Sequence, residues 1–92
     1  MGETTSVKTK HRDLCDIAAE IDLLWATEKV SANTRSWTLP YRNTMRALRK
    51  ITDSYGHDSA REIVLYFLSN CTNWRGENAR RIKDELKAIL AS

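Results

Sequence analysis

Apolar residues between positions 14 and 30 recur at helical spacing. Leu14, Ile17, Ala18, Ile21, Leu24 and Trp25 share one side of a cylinder that turns by about 100° per residue. Cys15, Ala19, Leu23, Ala26 and Val30 widen that side, and Asp13, Asp16 and Glu20 occupy the opposite stripe. The pattern predicts a first helix over residues 12–29. An apolar arc this broad implies contacts on two sides, and Cys15, Ala19, Leu23 and Ala26 are therefore assigned to a homodimer interface.

Residues 31–39 are small and polar and read as a loop. A second helix is expected to start near Pro40, because a missing N–H is harmless in a first turn, with Thr38 as its cap. Tyr41, Met45, Leu48, Ile51 and Tyr55 would face inward, and Gly56 would end the helix. The third helix opens on Ser59-Ala-Arg-Glu62, a capping-box spacing. It is apolar nearly all round, which predicts the most buried element. After a turn at residues 72–76, a fourth helix runs to about residue 90 on a narrow stripe of Ala79, Ile82, Leu86, Ile89 and Leu90. Its outer side places Glu77 with Arg81, Arg80 with Asp84 and Arg81 with Glu85 at helix-pair spacing. No stretch alternates as a strand does. The fold expected is all-α: four helices in one domain over residues 11–92, preceded by a mobile arm over residues 1–10.

Composition leaves that picture standing. The 92 residues, 41% hydrophobic and 29% charged, suit one globular domain with a small core. No apolar run is long enough to span a membrane, and the first ten residues lack the apolar segment of an export signal. Two cysteines, Cys15 and Cys71, far apart in such a chain, are expected to be reduced thiols in a cytoplasmic protein.

Charge adds more when it is read by segment. Residues 13–28 hold five carboxylates and no base, whereas residues 29–52 hold six bases and no carboxylate. In the second block Arg42, Arg46, Arg49 and Lys50 cluster on the expected outer side of the second helix. The first expectation is a solvated face that balances the acidic first helix. The binding alternatives are an acidic protein surface or a nucleic-acid backbone, with Arg35, Trp37, Arg42, Arg46, Arg49 and Lys50 as the candidate residues. Trp37 has no periodicity to explain it. A lid folded back over the core is the expected place for it, and an exposed anchor is the alternative.

The chain offers no catalytic constellation. It has no glycine-rich phosphate loop and no GxSxG, and His57-Asp58-Ser59 are adjacent in a turn, where triad residues would point apart. His11 and Cys15 stand four residues apart, with only His57 and Cys71 left to complete a zinc site. Both cysteines fall on apolar faces, so no metal, cofactor or small-molecule substrate is expected. The function expected is a non-enzymatic protein–protein interaction module of adaptor or inhibitor type, homodimeric. The alternative is a nucleic-acid-binding accessory protein that uses the second helix.

Overall fold

The computed structural model describes residues 11–92; the mobile arm expected over residues 1–10 lies outside the described residues. The described chain is mostly helical: α1 (Leu14–Thr27), α2 (Ala32–Met45), α3 (Ala60–Ser69) and α4 (Glu77–Ala91). A two-stranded hairpin, β1 (Ser54–Tyr55) and β2 (Asp58–Ser59), lies between α2 and α3. None of the helices is long and apolar enough to cross a membrane.

α1 forms where its apolar spacing requires. Its buried side is Leu14, Ile17, Ala18, Ile21 and Trp25. The Asp13 side chain makes no cap, and the first N–H groups find partners elsewhere in the chain. Leu14 donates to the Arg49 carbonyl and Cys15 to the Leu48 carbonyl, both at 2.8 Å. A turn distant in sequence thus satisfies donors that a helix start always leaves open.

α2 departs most from expectation. It begins at Ala32, not near Pro40, and ends at Met45, not at Gly56. Ser31 is its cap, accepting from the Thr34 N–H at 3.1 Å. Pro40 therefore sits inside the helix. The inward face is Thr34, Thr38, Arg42 and Met45, a helical spacing carried mostly by polar side chains. Thr38 is buried because its hydroxyl donates to the Thr34 carbonyl at 2.7 Å, which leaves it satisfied within its own helix.

After Met45 the chain turns tightly. The Asp53 carboxylate accepts from the backbone N–H groups of Arg49 at 3.0 Å and Lys50 at 2.9 Å. The hairpin follows, with Ser54 opposite Ser59 and Tyr55 opposite Asp58. Gly56, at φ 64°, takes the left-handed position of its two-residue loop. The capping box predicted for α3 is present, with Glu62 N–H donating to Ser59 Oγ at 3.1 Å. α3 is two-sided rather than buried all round: Leu65 and Tyr66 are each 47% exposed. α4 matches its predicted stripe, burying Ala79, Ile82, Leu86 and Ile89.

The core centres on three aromatic rings. Trp25 stacks near Phe67 with centroids 6.2 Å apart and meets the edge of Trp74 at 5.3 Å. α4 is tied to α1 from outside by a charge network. Arg12 bridges Glu20 (2.9 Å) and Glu85 (2.6 Å), and Arg81 reaches Glu20 at 2.6 Å. The three pairs expected along α4 itself are not among the ion pairs of the described residues; Arg81 and Glu85 turn toward Glu20 and Arg12 instead.

Candidate interaction surface

The five basic residues of the expected binding face separate into three groups, and Trp37 stands apart. Arg42 and Arg35 are structural. Arg42 is 9% exposed, and its guanidinium lies 4.7 Å from the Trp25 ring centroid. It pairs with Asp22 and also bonds Thr38 Oγ1 at 3.1 Å and the Arg35 carbonyl at 2.9 Å. The expected outward placement of Arg42 is therefore corrected. The helix ends at Met45, so its inward face is set by Thr34, Thr38 and Met45 rather than by Leu48 and Ile51. Position 42 therefore faces α1, and the ring of Trp25 gives the flat cation a partner there. Arg35 closes the other end of the same seam. Its fork donates to the carbonyls of Trp25, Glu28 (3.1 Å) and Val30 (3.0 Å), where α1 runs out of internal partners.

Arg46 is intermediate. It reaches the second oxygen of Asp22 at 3.0 Å, but about half its side chain is in solvent. One carboxylate thus serves two guanidiniums. The acidic first helix is answered here only through Asp22. Glu20 belongs to the Arg12–Arg81 network, and Glu28 turns to neutral donors.

Arg49 and Lys50 form the third group. Their side chains are exposed, and with His11, Arg12, Asp13, Ile51 and Ile89 they line a cavity of about 330 Å³. The start of the described chain and the turn after α2 therefore share one basic end, a juxtaposition that sequence spacing did not reveal.

Trp37 is not a lid. It lies on α2, 55% exposed, one turn before Tyr41 on the same flank. Tyr41 packs against Tyr66 of α3 with ring centroids 5.6 Å apart. Trp37, Tyr41 and Tyr66 give the flank of α2 that faces α3 an exposed aromatic character. On α2 the neighbouring positions Pro40 and Thr44 carry no charge. The Glu62 carboxylate, one turn before Tyr66, is held in the α3 cap.

The residues assigned to a dimer interface lie on the outer side of α1. Leu23 is 74% exposed, the largest exposure of any large hydrophobic residue described. Ala26 is exposed, and Cys15 and Ala19 are half-buried.

Metal chemistry gains little from the geometry. Asp13, Cys15 and Asp16 have ligand atoms within 4.8 Å of one another, and the set lacks the histidines and Cys71 of the zinc arrangement weighed from sequence. Cys71 is buried in the core, and burial pushes its thiol up to about 11. It is a small hydrophobe at neutral pH.

Glu28 is the polar hinge of the core. Hydrogen bonds from Trp74 Nε1 (3.0 Å) and then from Asn78 Nδ2 (2.8 Å) hold its carboxyl below the ordinary value of 4.5. Glu20 is lowered too, first by Arg81 and then by Arg12. Both are carboxylates with depressed values in the folded state. Their contribution is complete above pH 4.5 and is lost as pH falls through the folded values. The melting temperature is thus expected to be level from pH 7 to 5 and to fall below about pH 4.5. Glu28→Gln should melt below the wild type at pH 7, with the gap narrowing as pH falls below about 4.5. A gap that stays constant across that range, in thermal melts followed by circular dichroism, would show that the charge of Glu28 is irrelevant.

Compared with known families, curated proteins and solved structures, the chain matches none.

Proposed function

We propose that the protein is a non-enzymatic helical protein–protein interaction module of the cytoplasm, an adaptor or inhibitor that also self-associates through α1. The observation that carries this reading is the aromatic flank on which Trp37 and Tyr66 are exposed on either side of a half-buried Tyr41. Aromatic rings supply large, stiff contact area at low entropic cost, and such residues dominate the energetic centres of protein interfaces. The partner that fits this flank presents an uncharged apolar surface. Both cysteines are free, which suits a reducing compartment.

The nucleic-acid alternative keeps one specific support, the exposed Arg49 and Lys50 at the cavity they share with His11, Arg12 and Asp13, although Arg12 is held there by Glu20 and Glu85. It loses Arg35 and Arg42, whose donors are engaged inside the fold.

The two readings separate in one pair of measurements. Trp37→Ala combined with Tyr66→Ala should keep the helical fold at a cost of about 1–3 kcal/mol, since about half of each side chain is exposed. The same double variant should lose the proteins that the wild type captures from nuclease-treated host lysate. Fluorescence anisotropy with labelled DNA and RNA should show no binding at low salt. Binding that weakens steeply as salt rises, and that Arg49→Gln with Lys50→Gln abolishes, would replace this reading with the alternative.

A further inference from the structure

We infer that two copies of the chain associate through α1 in an antiparallel register centred between Asp22 and Leu23. The inference rests on the reading above, that the protein works by association, and names the partner of the α1 face as a second copy of this chain. Along the outer side of α1 the residues are Asp16, Ala19, Leu23 and Ala26, followed by Lys29 just past the helix end. From Asp16 to Ala26 their steps of three and four residues define one seam of the kind that packs helix on helix, and Lys29 carries a base beyond its end, after the extended cap residue Glu28. The seam reads acid, small, large, small, base. Reversed, it gives the same pattern with the charges exchanged.

That symmetry selects both occupant and direction. In an antiparallel pair centred between residues 22 and 23, Asp16 of one copy faces Lys29 of the other at both ends of the contact. Ala19 faces Ala26 of the other copy, and the small side chains let the helices approach closely. The two Leu23 side chains meet near the axis, where burial removes the most exposed large hydrophobic residue of the described surface from water. A parallel pair would set Asp16 against Asp16 and Lys29 against Lys29. Asp16 and Lys29 are both exposed and make no ion pair among the described residues, so both are free for this exchange.

Disulfide trapping tests the register. In a Cys15→Ser background, Ala19→Cys and Ala26→Cys are made as separate proteins, mixed under reducing conditions and then oxidised. The mixture should form a cross-linked species of twice the 10.6 kDa chain mass, and neither protein alone should. In the antiparallel register two copies of position 19 lie about seven residues, or roughly 10 Å, apart along the axis, beyond disulfide reach. Adding Leu23→Glu to both proteins should abolish the cross-link while circular dichroism stays unchanged. Cross-linking by either protein alone would establish a parallel pair and overturn the inference. A wild type of dimeric mass whose mixture does not cross-link would overturn this register and leave self-association standing through another face. A monomeric wild type by light scattering at micromolar concentration would overturn self-association altogether. None of these outcomes touches the aromatic flank, which has its own test.

Discussion

Arg42→Ala is expected to destabilise the protein by about 2–4 kcal/mol, a large share of the stability of a domain this size. Removing one member of a buried ion pair leaves the other uncompensated, typically at about 3–5 kcal/mol. Here Asp22 keeps 30% side-chain exposure and retains Arg46 at 3.0 Å, which lowers the expected cost. Against that, the substitution also uncovers the Trp25 ring and takes one donor each from the Thr38 hydroxyl and the Arg35 carbonyl, although Thr38 Oγ1 keeps its bond to the Thr34 carbonyl. Arg42→Met separates the contributions, since methionine restores much of the packing on Trp25 without the charge. If packing dominates, Arg42→Met should recover more than half the loss. If the paired charge dominates, Arg42→Lys should recover more than Arg42→Met, although a single ammonium cannot copy the fork. Arg49→Gln serves as control and should change stability by less than about 0.5 kcal/mol, because its side chain is exposed and unpaired among the described residues. Urea titration at pH 7 measures all four. An Arg42→Ala protein as stable as the Arg49→Gln protein would remove Arg42 from the core.

The contrast between those two arginines shows where the sequence was legible. α1, α3 and α4 each bury a periodic apolar stripe, and for α3 the capping box marks the start, so apolar spacing found them. α2 buries Thr34, Thr38 and Arg42 ahead of its one fully buried apolar residue, Met45. A search for apolar period has nothing to register there, and Pro40 pointed to a helix start that falls instead at Ala32. Placed in that earlier frame, the apolar residues Leu48, Ile51 and Tyr55 looked like a continuing helix. In the fold they belong to a turn and a hairpin, held by the Asp53 carboxylate and Gly56. The error then spread to the candidate site, because Leu48, Ile51 and Tyr55, which lie beyond the helix, set its expected inward face, whereas Thr34, Thr38 and Met45 set the real one. Arg42 went inward and Trp37 went outward. One signal was available: Ser31 precedes Thr34, Thr38 and Arg42 at cap-plus-helix spacing, if threonine is allowed as a buried residue. The exposed Leu23 was legible because its stripe is wider than one neighbour can cover. The joining of Arg12 with Arg49 and Lys50 was not, since it depends on how the turn after α2 crosses the start of α1.

The same shift in frame assigns Arg35 its task, and Arg35→Ala is expected to cost about 1.5–3 kcal/mol. Its guanidinium is the only charged donor among the described residues that reaches the carbonyls of Trp25, Glu28 and Val30. A helix end leaves its last carbonyls without internal partners and carries partial negative charge, so a cation there gains on both counts. Hydrogen bonds to a charged group contribute more than neutral ones, but the half-buried site lets water replace part of what is lost. The expected cost is therefore below that of Arg42→Ala. The location of the damage is the sharper readout. Hydrogen exchange should quicken at the Glu28 N–H, which closes the last turn onto the Leu24 carbonyl at 2.9 Å. The amides of α4 should keep their protection until global unfolding. Arg35→Lys supplies charge without the fork, so it should recover the dipole contribution of about 0.3–1 kcal/mol and little else. If Arg35→Lys matches the wild type in both urea stability and exchange at Glu28, the fork is unnecessary and charge alone closes the helix. If Arg35→Ala leaves stability and exchange unchanged while weakening capture of a protein partner, Arg35 returns to the binding face.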